Sequence, residues 1–400
     1  MIGGFQMAAF IAGTSLVPFA KPGFSEMYDR MGSDALLLAL NDAGLSLKHL
    51  DQAYVGYVYG DSTSGQRAVY RVGMTGIPII NVNNNCASGS TALFLARQAV
   101  ESGVADCVLA LGFEQMKPGA LEQVFSDRPS PLEKFEMIAD EAFFDKRDLP
   151  VTLKLFGGAG KAHMDLYGTK LETFARIRAK ASDHAFNNPQ ALFRKKVSTE
   201  EVLHAQSIWP GVMTKMMACP PTCGASAAVV VSERFALKHG LDATVRIRSQ
   251  AMVSDLQDTF EGPDMIKLVG AGLTELAAEK VYEQAGVAPE DIDVIELHDC
   301  FAQNELITYE ALGLCSPGEG ERLVEDGDNT YGGTFVTNPS GGLLSKGHPL
   351  GATGLAQCFE LTQQLRGNAG ARQVDNARFG LQHNLGLGSA AVVTLYERTR

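Results

Sequence analysis

Cys86-Ala-Ser-Gly-Ser-Thr-Ala-Leu93 and His348-Pro-Leu-Gly-Ala-Thr-Gly-Leu355 are one pattern of small residues, threonine and leucine written twice, 262 positions apart. Two further pairs keep the same order along the chain. Ala43-Gly44 with Leu50-Asp51 matches Ala285-Gly286 with Ile292-Asp293, and Ala225-Ser-Ala-Ala-Val-Val-Val231 matches Gly388-Ser-Ala-Ala-Val-Val-Thr394. Each match is weak alone; three in one order point to a duplicated pair of half-molecules. The spacing also locates extra chain, because the second and third blocks lie about 99 residues further apart in the first half. That insertion, roughly Lys117 to Val212, is charged, punctuated by proline and rich in Phe and His. It reads as mostly helical with long loops, a layer over whatever site the halves build.

Within each half the pattern is strand, helix, strand. A helix over 34–43 starts after Ser33 and stops at Gly44, as capping rules expect. Asp106 to Gly112 is continuously apolar and suits a strand covered on both faces. Ala8 to Ala12, Ala53 to Tyr59, Val294 to Leu297 and Phe379 to Gln382 read as strands, with another from Ser389. Ala87 to Val100 is small and apolar nearly all round, a helix buried on several sides. The fold class is therefore α/β, layered, duplicated. The boundaries expected are 1–116 with 213–243 for the first half, 117–212 for the insertion and 244–400 for the second half.

Composition narrows the function. With 400 residues, 45% hydrophobic and 20% charged, the chain is globular, and its formal charge of −12 argues against nucleic acid. A local basic patch could still hold a phosphorylated small molecule. The 42 glycines exceed the usual share of about 7%, which hints at a site built from main chain. Seven scattered cysteines form no disulfide framework, so a reducing compartment is expected. Cys219 and Cys223 lack a second metal-spaced pair, and no metal is expected. No apolar run approaches a membrane span. The apolar start lacks a basic segment and a cleavage site, and Glu-Arg-Thr-Arg400 is not a Ser-Lys-Leu signal. A cytoplasmic location is expected, or peroxisomal or mitochondrial in a eukaryote.

Four places could carry chemistry. Cys86 follows Asn83-Asn84-Asn85 at a helix start, where unsatisfied N–H groups favour a thiolate; the alternative is a buried inert cysteine. His348 occupies the matching position in the second half. A pseudo-twofold axis would bring the two helix starts together and pair thiol with imidazole. A structural histidine in a glycine-rich turn is the other reading. His298-Asp299-Cys300-Phe301 follows a strand at its carboxyl end, where α/β sheets place functional groups, though a strand turning outward would also carry them. His383-Asn384-Leu385-Gly386-Leu387-Gly388 reads as a glycine-rich turn whose N–H groups could form an oxyanion hole.

These stretches, with Gly60-Asp-Ser-Thr63, Gly65-Gln-Arg67, Asn81 to Ser90 and Asn338 to Gly354, resemble the thiolases over nearly the whole chain. The thiolase of the sterol carrier protein 2 group is the most similar, on His298-Asp-Cys-Phe301 and His383-Asn384. The resemblance implies two related domains stacked as αβαβα with an inserted loop domain. It implies cleavage of a 3-ketoacyl-CoA by CoA to acetyl-CoA or propionyl-CoA and a shortened acyl-CoA, CoA being co-substrate and no cofactor permanently bound. A homodimer is also implied. Cys86 would be the acyl-accepting nucleophile and His348 its activator. His298 would share one oxyanion hole with His348, and the backbone of Cys86 and Gly386 would form the other. His383 and Asn384 would support the site.

Common thiolases carry a second, acid/base cysteine in C-x-G-G-G, and here His383-Asn384-Leu385-Gly386 stands there. The resemblance to the sterol carrier protein 2 group implies that the cysteine of His298-Asp-Cys-Phe301 takes that role, which would make Cys300 the acid/base. The alternatives are a condensing enzyme or retro-aldolase of the same fold, or a weakly catalytic lipid- or CoA-binding protein. Retention of Cys86, His298, Cys300 and His348 argues against the last. The sequence shows no lipid-transfer domain after Arg400, so lipid transfer is not expected of this chain unless it was cut from a fusion with such a domain. Arg194-Lys195-Lys196, Lys161 and Lys170 are candidate CoA-phosphate cations, though a solvated charged face explains them better.

Overall fold

The computed structural model describes residues 8–119, 121, 123–388 and 390–399. The strand start at Ser389, residues 1–7 of the signal-like opening and Arg400 lie outside them. Twelve strands are described: β1 (Ala9–Ala20), β2 (Gln52–Gly56), β3 (Ile79–Val82), β4 (Cys107–Glu114), β5 (Ser207–Trp209), β6 (Met213–Thr214), β7 (Cys223–Ser232), β8 (Val245–Val253), β9 (Val294–Glu296), β10 (Val336–Thr337), β11 (Phe379–Gly386) and β12 (Ala390–Arg398). Apart from the β5–β6 ribbon they hydrogen-bond in the order β10-β9-β11-β12-β8-β1-β7-β4-β2-β3. Read outward from the β1–β8 junction, each side has the same plan. β1, β7, β4, β2, β3 on one side answer to β8, β12, β11, β9, β10 on the other. The sequence matches fall on equivalent places: Ala225–Val231 in β7 against the start of β12, and Cys86 and His348 each just ahead of a helix, Ser88–Glu101 and Thr353–Arg366.

Strand alternation explains the layers. In β4, Val108 and Ala110 face a central core with Leu93, Ala96 and Val100 of one helix and Leu355, Leu361 and Leu365 of the other. Leu109 and Leu111 face the opposite way, onto Leu36, Ala39 and Leu40 of the outer helix Tyr28–Asp42. Helix Ala271–Ala285 covers the second half equivalently through Leu273, Ala277 and Val281. The result is the αβαβα stack, with most residues of both central helices buried. Between β4 and β7 lie helices Glu133–Ala142, Val151–Tyr167, Leu171–Phe186 and Thr199–Leu203. They pack chiefly on the second half, where Phe156 stacks on Phe301 with centroids 4.8 Å apart.

Several boundaries differ from the sequence reading for physical reasons. The first helix begins at Tyr28, six residues early, and the expected cap Ser33 lies inside it, its hydroxyl donating back to Arg30 O at 2.8 Å. β1 runs to Ala20 because β7 pairs along its length. The supposed glycine-rich turn at His383 is strand: β11 continues to Gly386, paired with β12 throughout.

Glycine lets the two central helix starts meet. A Cβ on Gly351 would lie 2.4 Å from Phe113 O and 2.6 Å from Gly56 O, and one on Gly354 would lie 2.4 Å from Ser90 N. These are backbone atoms that cannot swing away. Gly351→Ala is therefore expected to cost at least about 1–3 kcal/mol by overpacking, visible as a lowered unfolding midpoint. An unchanged midpoint would mean the halves can separate freely.

Candidate active site

The loop before the first central helix is pinned by its own asparagines. Asn85 takes a left-handed φ of 50°, its N–H donates to Asn83 Oδ1 at 3.0 Å, and its Nδ2 donates to Leu387 O at 3.0 Å. This holds Cys86 at the floor of a cavity of about 1570 Å³ between the halves and the insertion. The thiol donates to Asn85 Oδ1 at 3.6 Å. His348 enters from the other half: its N–H donates to Thr222 Oγ1 at 3.1 Å and its Nδ1 lies 2.7 Å from Thr353 Oγ1. His348 Nε2 is buried with no protein partner. His298, at the end of β9, meets Asn384 Nδ2 through its Nδ1 at 3.0 Å. The two imidazoles stand edge to face, with centroids 5.0 Å apart. Donor atoms of Cys86, His298 and His348 all lie within 4.8 Å of one another.

Cys300 lines the same cavity, as does Cys219, a residue whose C-x3-C spacing to Cys223 gives no sign of it. Cys219 N–H donates to Cys300 O at 2.9 Å, so the strap Ala218–Thr222 ties the loops bearing Cys300 and His348 together. The pair Pro220-Pro221 was the available signal, since prolines hold a segment extended. Cys223 is elsewhere, its thiol on Met116 O at 3.5 Å. Asp299 points away from the cavity. Its carboxylate accepts from Leu343 N at 2.7 Å and Leu344 N at 3.3 Å, clamping the π-turn Gly342–Lys346 that leads into His348. His383 supports from behind, its Nδ1 accepting the His298 N–H at 3.4 Å and its Nε2 3.0 Å from Thr274 Oγ1. Gly386 abuts the Cys86 loop, where a Cβ would lie 2.1 Å from Asn84 O. The next residue, Leu387, is tied to that loop through its carbonyl, which accepts from Asn85 Nδ2, and its N–H, with that of Cys86, favours the thiolate electrostatically.

Burial governs the charges. It pushes the Cys86 thiol up to about 12, with the Glu114 carboxylate adding to it, against the pull of the two N–H groups. The helix start does not overcome desolvation, contrary to the expectation of a favoured thiolate. Cys300 is likewise raised well above the ordinary thiol value by burial and by Cys219 and Cys86. Burial lowers His348 to about 3, helped by Lys346, and holds His298 well below its usual value, helped by His348 and His383. The free site is thus neutral. Alkylation of Cys86 by iodoacetamide should accelerate continuously from pH 6 to pH 9, because only the thiolate reacts. A plateau reached below pH 8 would reveal a standing thiolate–imidazolium pair.

A thiol with two imidazoles is a ligand set for soft cations, and equally a nucleophile with a base and a donor. Of the cations, Lys117, Arg128 and Lys215 line the cavity. Those noted in the sequence do not: Lys161 pairs with Asp165, Lys170 with Glu321 and Glu325, Lys195 with Glu201, and Lys196 with Asp183. Leu121, Val124, Leu132, Val151 and Phe156 form an apolar wall. No helix among the described residues is long and apolar enough to cross a membrane.

A duplicated αβαβα core that brings a cysteine and two histidines to converging helix starts defines the thiolase-fold class. This chain belongs to the thiolase family: the thiolase N-terminal domain model matches residues 10–130 and the thiolase C-terminal domain-like model residues 258–398. It is 54% identical to the Homo sapiens sterol carrier protein 2 over 395 residues, covering 97% of this chain and 71% of that one. An acetyl-CoA acetyltransferase of Methanothermobacter thermautotrophicus is 32% identical, covering 96% and 99%. Among solved structures, an Ltp2-ChsH2(DUF35) aldolase superposes with a TM-score of 0.83 at 22% identity, covering 99% of each chain, a likeness of fold.

Proposed function

We propose that the protein is a thiolase acting on 3-ketoacyl-CoA with CoA as second substrate. The observation that carries this reading is the meeting of Cys86, His298 and His348 within 4.8 Å at the floor of one cavity, with Cys300 in its wall. In the first half-reaction the Cys86 proton passes to His348 Nε2 and the sulfur attacks the keto carbon. The N–H groups of Cys86 and of the 386–387 segment meet the oxyanion. The bond between C2 and C3 breaks, and its electron pair forms a thioester enolate that accepts hydrogen bonds from His298 and His348. Cys300, kept protonated by burial, delivers its proton to C2 and releases acetyl-CoA or propionyl-CoA. In the second half-reaction the Cys300 thiolate takes the CoA proton and the CoA sulfur attacks the acyl-cysteine. Cys86 leaves and recovers its proton from His348.

Lys117, Arg128 and Lys215 suit the CoA phosphates, and the apolar wall suits an acyl chain. The domain limits 1–116 with 213–243, 117–212 and 244–400 remain our division of the chain, and a homodimer our assembly. A retro-aldol cleavage needs no sulfur nucleophile, so the placement of Cys86 favours thiolysis. The test is CoA-dependent cleavage of acetoacetyl-CoA and of long-chain, 2-methyl-branched and sterol-derived 3-ketoacyl-CoAs. Loss of none of them on adding CoA overturns the reading.

A further inference from the structure

We infer that Gln382, Ser90 and Thr353 are positioning residues that hold the two site histidines in opposite neutral tautomers, His298 with its proton on Nε2 and His348 with its proton on Nδ1. The assignment starts from groups that cannot change role. Gly354 O only accepts, so the Gln382 atom 2.8 Å from it is the amide nitrogen, and Tyr396 OH donates to Gln382 Oε1 at 2.6 Å. The same Nε2 donates to Ser90 Oγ at 2.8 Å, so the Ser90 hydrogen goes onward to Asn384 Oδ1, also at 2.8 Å. That orients the Asn384 amide, and its Nδ2 donates to His298 Nδ1 at 3.0 Å. A neutral imidazole that accepts at Nδ1 carries its hydrogen at Nε2. His348 is arranged the other way. Pro349 O lies 3.0 Å from Thr353 Oγ1 and takes the hydroxyl hydrogen, so His348 Nδ1, 2.7 Å from that oxygen, donates. Its Nε2 lone pair is left buried and unpartnered.

Ser90, Gln382, Asn384 and His298 are all at most 1% exposed, so water does not scramble the chain. The helical periodicity that puts Ser90 one turn beyond Cys86 places it under the site without touching the cavity. The consequence is a division of labour in the free enzyme: His348 accepts a proton at the cavity, and donates there only once it has taken it, while His298 donates a hydrogen bond from the start. This rests on the proposed thiolysis for its purpose, not for its geometry.

Asn384→Asp tests it. The carboxylate accepts from His298 Nδ1–H, which draws the proton to that side and raises the imidazole pKa. Below the new pKa the imidazolium still offers Nε2–H; above it Nε2 is bare. The wild-type kcat should show no such His298 titration on the alkaline side. The variant should lose about 10²- to 10³-fold as pH rises through that value, the loss seen when one oxyanion donor is removed. Long-range ¹H–¹⁵N spectra of ¹⁵N-histidine-labelled protein read the tautomers directly. The expected result is protonated Nε2 on His298 and protonated Nδ1 on His348 in the wild type, with Nδ1 of His298 gaining a proton in Asn384→Asp. Ser90→Ala, a smaller change that should fold if Asn384→Asp does not, frees the amide to flip and should give a mixture of His298 tautomers. A wild-type His298 protonated on Nδ1, or an unaltered tautomer in Ser90→Ala, overturns the inference. If the tautomers are as stated but no thiolysis occurs, the functional reading fails and the assignment stands.

Discussion

Cys86→Ala is expected to abolish acyl-enzyme formation and to lower kcat/KM by a factor on the order of 10⁴ or more, because removing the nucleophile disables a unit that acts together. Folding should be nearly untouched. The side chain is small, 8% exposed at the cavity floor, and its S–H makes one long contact to Asn85. Its loss strips no neighbour of a short hydrogen bond. The measurement is covalent acetylation by acetyl-CoA followed by peptide mass spectrometry on the wild type and the variant. Cys219 and Cys300 share the cavity and provide a demanding internal control. A label on either of them, or a label surviving in Cys86→Ala, would remove Cys86 from the role of nucleophile.

His298→Ala should lower kcat by about 10²- to 10³-fold, equivalent to about 2.7–4 kcal/mol of lost enolate stabilisation. The enolate is the costly species, and the His298 imidazole is 1% exposed and neutral, so its N–H would act without competing water. KM should change far less than kcat, since the interaction strengthens only as charge develops on the thioester oxygen. The truncation also leaves Asn384 Nδ2 without its acceptor, at about 1–3 kcal/mol of stability, so the variant's unfolding midpoint is measured alongside its kinetics. A variant with wild-type thiolysis rates would show that His298 is not an oxyanion donor.

Much of the architecture was legible in the chain because duplication leaves matching residues where matching geometry is needed. Ala43-Gly44 and Ala285-Gly286 each end an outer helix, with Gly44 and Gly286 at positive φ. The blocks at Cys86 and His348 each start a central helix. The pairing of these two residues followed from the same symmetry. The His383–Gly388 segment misled because its glycines suggested a turn. Tertiary pairing with β12 keeps it extended, and the sharp change of direction falls only after Gly386.

The sequence by itself determined the duplicated design and the residue types delivered to the site. Tertiary structure alone decided three further things. It tied Leu387 to the loop bearing Cys86 through Asn85, it brought Cys219 beside Cys300, and it set the balance between burial and the N–H groups at the thiol. The reason is physical. Local sequence fixes backbone direction and helix-end dipoles, but desolvation depends on everything packed around a group. At Cys86 that burial, together with the Glu114 carboxylate, outweighs the N–H groups the sequence had made visible.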